Sequence, residues 1–314
     1  MPFSAGAVLA FTAAAFFSMK AIFVKLAYLY HVDAVTLLAL RMLFALPMLA
    51  AAAWWSSRAH PHRLNRKDWL AVIFLGFAGY YLSSYLDFEG LRYITAGLER
   101  LILFLYPTVV AIISVFLFKK PIGKTGIIAL LLSYAGIALA TTRDLNAGGN
   151  VHQVLLGGGL IFLCTITYAI YLVGSGQVVG RVGATRLAAL ATMVASFSVL
   201  IQFSIENPIH ALVSQPWQVY MHAGAMAVFS TVLPIFMTSK AIQMIGAAKV
   251  SLIGAVGPVA TIFFGWLILH EQVSVPQILG AALVLAGVIL VARKPAPKPA
   301  VGARPGAQPV AAGE

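Results

Sequence analysis

Charge is scarce in this sequence. Only 10% of its 314 residues are Asp, Glu, Lys or Arg, against about 25% in soluble domains. So little charge cannot coat a water-facing surface, and a hydrophobic content of 61% excludes disordered and collagen-like chains as well. Cysteine is scarcer still: Cys164 is the single one, so no internal disulfide can form and packing alone must hold the fold. Acidic residues are also few, 9 against 21 Lys and Arg. The resulting net charge of +12 suits either a nucleic-acid surface or the cytoplasmic loops of a membrane protein. Where the basic residues fall decides between the two.

What the chain does have is long apolar runs, at roughly 5–28, 34–55, 69–86, 93–118, 122–141, 154–174, 185–205, 218–238, 248–269 and 276–292. Each suits one crossing at about 20 residues. Lipid leaves open backbone groups without partners, so the crossings must be helices. The short alternating pattern of a transmembrane barrel is missing. The expected fold is therefore an all-α membrane protein of ten transmembrane helices. With the N-terminus in the cytoplasm, the inner loops and tail hold 14 basic residues: Arg58, Arg63, Arg66, Lys67, Lys119, Lys120, Lys124, Arg181, Arg186, Lys240, Arg293, Lys294, Lys298 and Arg304. The outer loops hold 2, Arg92 and Arg143. This is a positive-inside distribution, and it puts both termini in the cytoplasm. It also argues against nucleic acid as a partner. No basic segment precedes the first helix, which carries Lys20, so it reads as a retained helix rather than a cleaved signal. Residues 293–314, rich in Pro, Ala and Gly, read as a disordered cytoplasmic tail.

The two halves match at a shift of 151 residues, with 10 identities between 91–140 and 242–291. Pro107 pairs with Pro258 and Gly136 with Gly287. The implied domains are 1–146 and 147–292, five helices each. An odd number of crossings turns the second copy upside down, giving two inverted five-helix repeats. Such repeats support one outward-open and one inward-open arrangement around a site near the midplane.

Ten helices in this arrangement, the spaced small residue, Pro and Gly of helices 4–5 and 9–10, the segment FSMKAIFVK ending helix 1 and VTLLALRMLFAL in helix 2 together resemble the drug/metabolite transporter superfamily, EamA type. The resemblance places Lys25 and Arg41 on the family's lysine and arginine. Two departures stand out: Lys120 replaces the family's glutamate after helix 4, kept as Glu271 after helix 9, and Ser18 replaces a glycine in helix 1. The resemblance implies movement of amino acids, nucleosides, sugar phosphates or related metabolites, often outward, across the bacterial cell inner membrane.

Charges within spans cost at least about 2.5–3.5 kcal/mol each on insertion scales and mark functional sites by default. At about 1.5 Å per residue, Lys20 lies about 12 Å below the outer end of helix 1, Arg41 about 10 Å into helix 2, and Glu99 and Arg100 about 9–10 Å into helix 4. These four share a layer in the outer half. Lys25, Asp87, Glu89 and Arg92 lie nearer the outer surface. The layer reads as a cationic chamber for an anionic or zwitterionic substrate. Glu99, paired with Arg41 or Lys20, would release its cation on protonation, which makes protons the candidate coupling ion. The competing reading is a salt-bridge cluster that only fixes helix packing. Lys25 either joins this function as a gate or simply snorkels to the interface. Glu99 and Arg100 point about 100° apart, and sequence does not say which faces the cavity. Pro107 and Pro258 kink helices 4 and 9 and free carbonyls beside the path. Tyr81, Tyr85 and Tyr168 are further candidates for hydrogen bonding a substrate, although membrane tyrosines equally bridge helices.

An intramembrane enzyme acting on a lipid-linked or small polar substrate is the rival class. Gly174-Ser175-Gly176 lacks a nucleophile-elbow frame, and His270-Glu271 lacks the second His of a zinc helix. No metal or cofactor is expected, and no ATP-binding loop is present. The sequence thus points to a secondary transporter whose partners are a small-molecule substrate and the lipid bilayer.

Overall fold

The computed structural model describes residues 5–59, 64–118, 124–146 and 150–292. Lys119, Lys120 and the tail 293–314 lie outside the described residues. Among the described residues every regular element is helical. The first half contains α1 (Ala5–Tyr28), α2 (Ala34–Ala59), α3 (Arg66–Gly76) and α4 (Ser83–Gly90), the last two joined by a π-helical stretch, Phe77–Leu82. Then come α5 (Ala96–Leu103), α6 (Tyr106–Phe118) and α7 (Lys124–Asn146). The second half repeats the series as α8 (Val151–Val182), α9 (Ala184–Glu206), α10 (Trp217–Ala227), a π stretch at Val228–Val232, α11 (Leu233–Ile245), α12 (Ala247–Gly254), α13 (Gly257–Leu269) and α14 (Val275–Ala292).

Among the described residues eight continuous helical runs are long and apolar enough to cross a membrane, and the shorter apolar helices Gly257–Leu269 and Val275–Leu290 follow them. The surface agrees with that medium. Phe116, Leu131 and Ile205 are exposed while Glu99, Thr165 and Ser196 are fully buried, the reverse of a water-soluble domain. The chain is a multi-pass membrane protein.

Helix ends follow local signals that hydropathy does not register. Asn65 and Asp68 form a reciprocal capping box at the start of α3, which satisfies two otherwise orphaned backbone donors. Asn150 caps α8, which runs on to Val182 and stops at Gly183, where φ is +87°. Pro107 and Pro258 depart from expectation. Each is the second residue of a new helix, α6 or α13, after a two-residue break at 104–105 or 255–256. A proline in the first turn forfeits no helical hydrogen bond, so the chain breaks and restarts rather than bending through.

The 151-residue shift recurs in the backbone. α3 and α10, α5 and α12, and α6 and α13 each begin and end 151 residues apart, and the two π stretches begin 151 apart. α7 and α14 also begin 151 residues apart and pack against each other. A Cβ on Gly136 would lie 2.5 Å from the Gly280 carbonyl oxygen and 2.9 Å from Val284. A Cβ on Gly287 would meet Ser133 Oγ and lie 2.6 Å from the Ala129 carbonyl oxygen. Gly280 and Val284 are the shifted counterparts of Ala129 and Ser133. The two close approaches are therefore one contact with the halves exchanged, as a two-fold relation between α7 and α14 requires.

Candidate functional site

Four helices of the first half bring ionisable side chains into one buried cluster: Lys20 from α1, Arg41 from α2, Asp87 from α4, and Glu99 and Arg100 from α5. Lys20 Nζ lies 2.7 Å from Asp87 Oδ2 and 3.4 Å from Glu99 Oε1. Asp87 and Glu99 are 1% and 0% exposed, and Glu99 also faces Asp87 directly. Two carboxylates thus share one ammonium.

The two arginines are held differently. Arg41 donates from Nε and Nη2 to Thr231 Oγ1 at 3.1 and 3.0 Å, and its guanidinium stands 5.5 Å from the Phe88 ring centroid. Its Nη1 is buried without a hydrogen-bond partner. Thr231 sits in the second π stretch, and its hydroxyl in turn donates to the Met226 carbonyl, 3.0 Å away and five residues back. Arg100 stands 4.9 Å from the Phe17 ring centroid, with Nε buried and unpartnered. Among the described residues no carboxylate pairs with either arginine. Three cations against two carboxylates leave the cluster one positive charge in excess.

The second half answers with neutral groups. Tyr171, Tyr168 and Thr192 are the shifted counterparts of Lys20, Phe17 and Arg41. Tyr80 OH lies 3.5 Å from Tyr171 OH, and an aromatic series runs from Tyr80 through Tyr171, Tyr168 and Tyr106 to Phe104, with successive centroids 4.8, 6.1, 5.5 and 5.8 Å apart. Tyr80 also faces Thr192, as its counterpart Thr231 faces Arg41. Cys164 is buried on α8, within electrostatic reach of Lys20, Asp87 and Glu99.

The surroundings tie the halves together. Ser18 Oγ lies 2.7 Å from the Ala14 carbonyl and 3.1 Å from that of Gly257, and Thr261 donates to the Ser18 carbonyl at 3.3 Å. These bonds fix α1 against the start of α13. The start of α5 is capped by two carboxylates, one from α7 and one from the loop between α13 and α14: Asp144 accepts from Thr95 N and Oγ1 at 3.0 Å, and Glu271 accepts from Ala96 N at 3.0 Å. Negative charge at a helix N-terminus is favourable.

The profile of the EamA-like transporter family matches residues 4–142 and 155–293, nearly the whole chain. The chain belongs to the EamA-like transporter family. Similar curated proteins include the uncharacterized transporter YcbK of Bacillus subtilis (strain 168), 28% identical over 283 residues that span 88% of this chain and 89% of the relative. The uncharacterized transporter YyaM of the same organism is 28% identical over 228 residues, 71% of this chain and 73% of that protein. A solved crystal structure at 16% identity aligns with a TM-score of 0.63, covering 91% of this chain and 96% of the other. That likeness concerns the fold.

Within this EamA-type chain, Lys20, Arg41, Glu99 and Arg100 do meet in one layer. Glu99 pairs with Lys20 and not with Arg41. The neighbours Glu99 and Arg100 diverge, the first towards Lys20 and Asp87, the second towards Phe17 and Tyr106. Lys25 stands apart and half-buried, towards Glu271 and Asp144. Tyr168 joins the aromatic series, whereas Tyr81 stacks on Phe77 at 4.9 Å and Tyr85 faces Glu206 and Gln202. Asp87 was expected nearer the outer surface. α4 runs on to Gly90, past the end of the apolar run, and carries Asp87 inside. The acidic count is therefore two rather than one. Thr231, Tyr80 and Tyr171 carry no individual signal, but the 151-residue shift links Thr231 to Tyr80 and Tyr171 to Lys20.

Proposed function

We propose that this transporter crosses the bacterial inner membrane ten times, with α5–α6 and α12–α13 each serving as one broken crossing and both termini in the cytoplasm. Five crossings per half put the two repeats in opposite orientations, and alternating access follows from exchanging their conformations. The cargo is a small polar metabolite, anionic or zwitterionic, such as an amino acid or a related compound. Its movement is outward when its own gradient points outward, and protons are the coupling ion.

One observation carries this reading: two buried guanidiniums, Arg41 and Arg100, have no carboxylate partner among the described residues. A guanidinium keeps its charge at any relevant pH, and unpaired charge at membrane depth is costly. An anion lodged between them offsets that cost, and the broken helices beside them suit a transport site. Tyr106, Tyr168 and Tyr171 offer hydroxyls and ring faces to the uncharged part of the cargo.

The test is uptake into proteoliposomes of a labelled panel of carboxylates, amino acids and phosphorylated metabolites, with and without a pH gradient. Arg41→Ala and Arg100→Ala are each expected to lower uptake more than about tenfold, the loss of one charge-assisted contact, with normal membrane insertion. Full uptake in both variants overturns the reading. Chemical conversion of a panel member in detergent, with no compartment present, would point to an enzyme instead.

A further inference from the structure

The acidic pair makes a prediction about the sign of coupling. Among the described residues Lys20 Nζ is the one cation in contact with both Asp87 and Glu99, at 2.7 and 3.4 Å. Among the described residues no other donor makes a conventional hydrogen bond to any of the four carboxylate oxygens, and all are buried. With both acids ionised, this triad carries one net negative charge in a medium that penalises it. A single proton shared by the two carboxyls makes it neutral. The charged and titratable groups facing the triad are Arg100 from α5, Arg41 from α2, the Tyr28 hydroxyl from α1 and the Cys164 thiol from α8. The two arginines are 6–7% exposed, and each has a buried N–H without a partner.

We propose that Asp87 and Glu99, bridged by Lys20, carry one exchangeable proton between them, and that this proton and an anion seated on Arg41 and Arg100 bind cooperatively and cross in the same direction. The proton comes from water on the loading side, sits on one carboxyl oxygen of the pair and returns to water on the other side. Its arrival raises the cluster's charge from one to two positive units, which strengthens the hold on an anion. By linkage the anion strengthens the hold on the proton by the same factor. This rests on the anion-transport reading above and adds the identity of the proton site and the sign of the coupling. An inward proton gradient then drives anion uptake, and an outward metabolite gradient carries protons out with it.

Two measurements decide the matter. Infrared difference spectra of reconstituted protein with ¹³C-labelled Asp and Glu need no cargo. A protonated carboxyl band at neutral pH is expected in the wild type and lost in both Asp87→Asn and Glu99→Gln, since removing either acid leaves Lys20 balanced by the other. No such band in the wild type, or a band that survives in both variants, overturns the shared proton. The second measurement is uptake of labelled glutamate, phenylacetate and glycerol phosphate into proteoliposomes. Acid outside should raise initial uptake about fivefold or more in the wild type. Either variant should fix uptake at the acid-side level whatever the pH. Faster uptake with alkali outside, or pH dependence kept in both variants, overturns the sign of coupling. If no probe moves at any pH, the anion-transport reading fails and the proposed coupling fails with it, while the infrared result still decides the proton site on its own.

Discussion

Lys20 holds two buried acids apart from the cost of their own burial. Its replacement by Ala leaves Asp87 and Glu99 facing each other without the cation that contacts both. Breaking a buried pair by removing one partner costs about 3–5 kcal/mol. Lys20→Ala is therefore expected to lower the thermal unfolding temperature in detergent, and adding Asp87→Asn to that variant should recover much of the loss. A cluster that tolerates Lys20→Ala unchanged would not contain the contacts described. At this scale the sequence was half legible. An ionisable residue inside an apolar run stands out, so Lys20, Arg41, Glu99 and Arg100 were visible. Asp87 was not, because it lies just beyond the apolar run, in a helical turn that hydropathy does not count. Neither were Phe17 and Tyr106, since an aromatic residue in a membrane helix is unremarkable until something charged is found beside it.

Among the elements, α7 and α14 depend on absent side chains. Gly136→Val and Gly287→Val should each destabilise the protein, by at least the roughly 1–3 kcal/mol typical of overpacking, because each new Cβ runs into the facing helix. The two losses should be similar if the contact is two-fold, and thermal unfolding in detergent measures both. Thr95→Ala should cost about 1 kcal/mol, the usual worth of an N-cap, since Thr95 caps α5 and also anchors Asp144. Apolar runs of crossing length announce themselves in a sequence, and so does a proline that interrupts them. The π stretches do not. Nothing in the composition of Phe77–Leu82 or Val228–Val232 separates them from ordinary helix, and they carry Tyr80 and Thr231 at corresponding places. Extra turns of this kind often accompany functional sites, and here the second one aims Thr231 at Arg41.

The whole molecule combines a repeated backbone with unrepeated chemistry. Several helices and both breaks recur at a shift of 151 residues, yet the charged members of the cluster all come from the first half, and the corresponding positions of the second half hold Tyr171, Thr238, Val250, Ser251 and Thr192. The backbone repeat is thus kept while the buried charge is confined to one half. Reporter fusions at the two termini should both register on the cytoplasmic side; opposite sides would rule out ten crossings. The duplication could be read from paired prolines and glycines, but which faces of the halves meet is a matter of three-dimensional packing that no linear shift encodes. The position of Cys164 has a practical corollary. As the chain's only thiol, buried next to Lys20 and Asp87, it makes the wild-type protein a ready-made single-site sensor. A maleimide fluorophore should find it only in conformers that admit solvent to the acidic pair, so labelling kinetics would report the opening of the membrane's interior barrier without a single engineered residue.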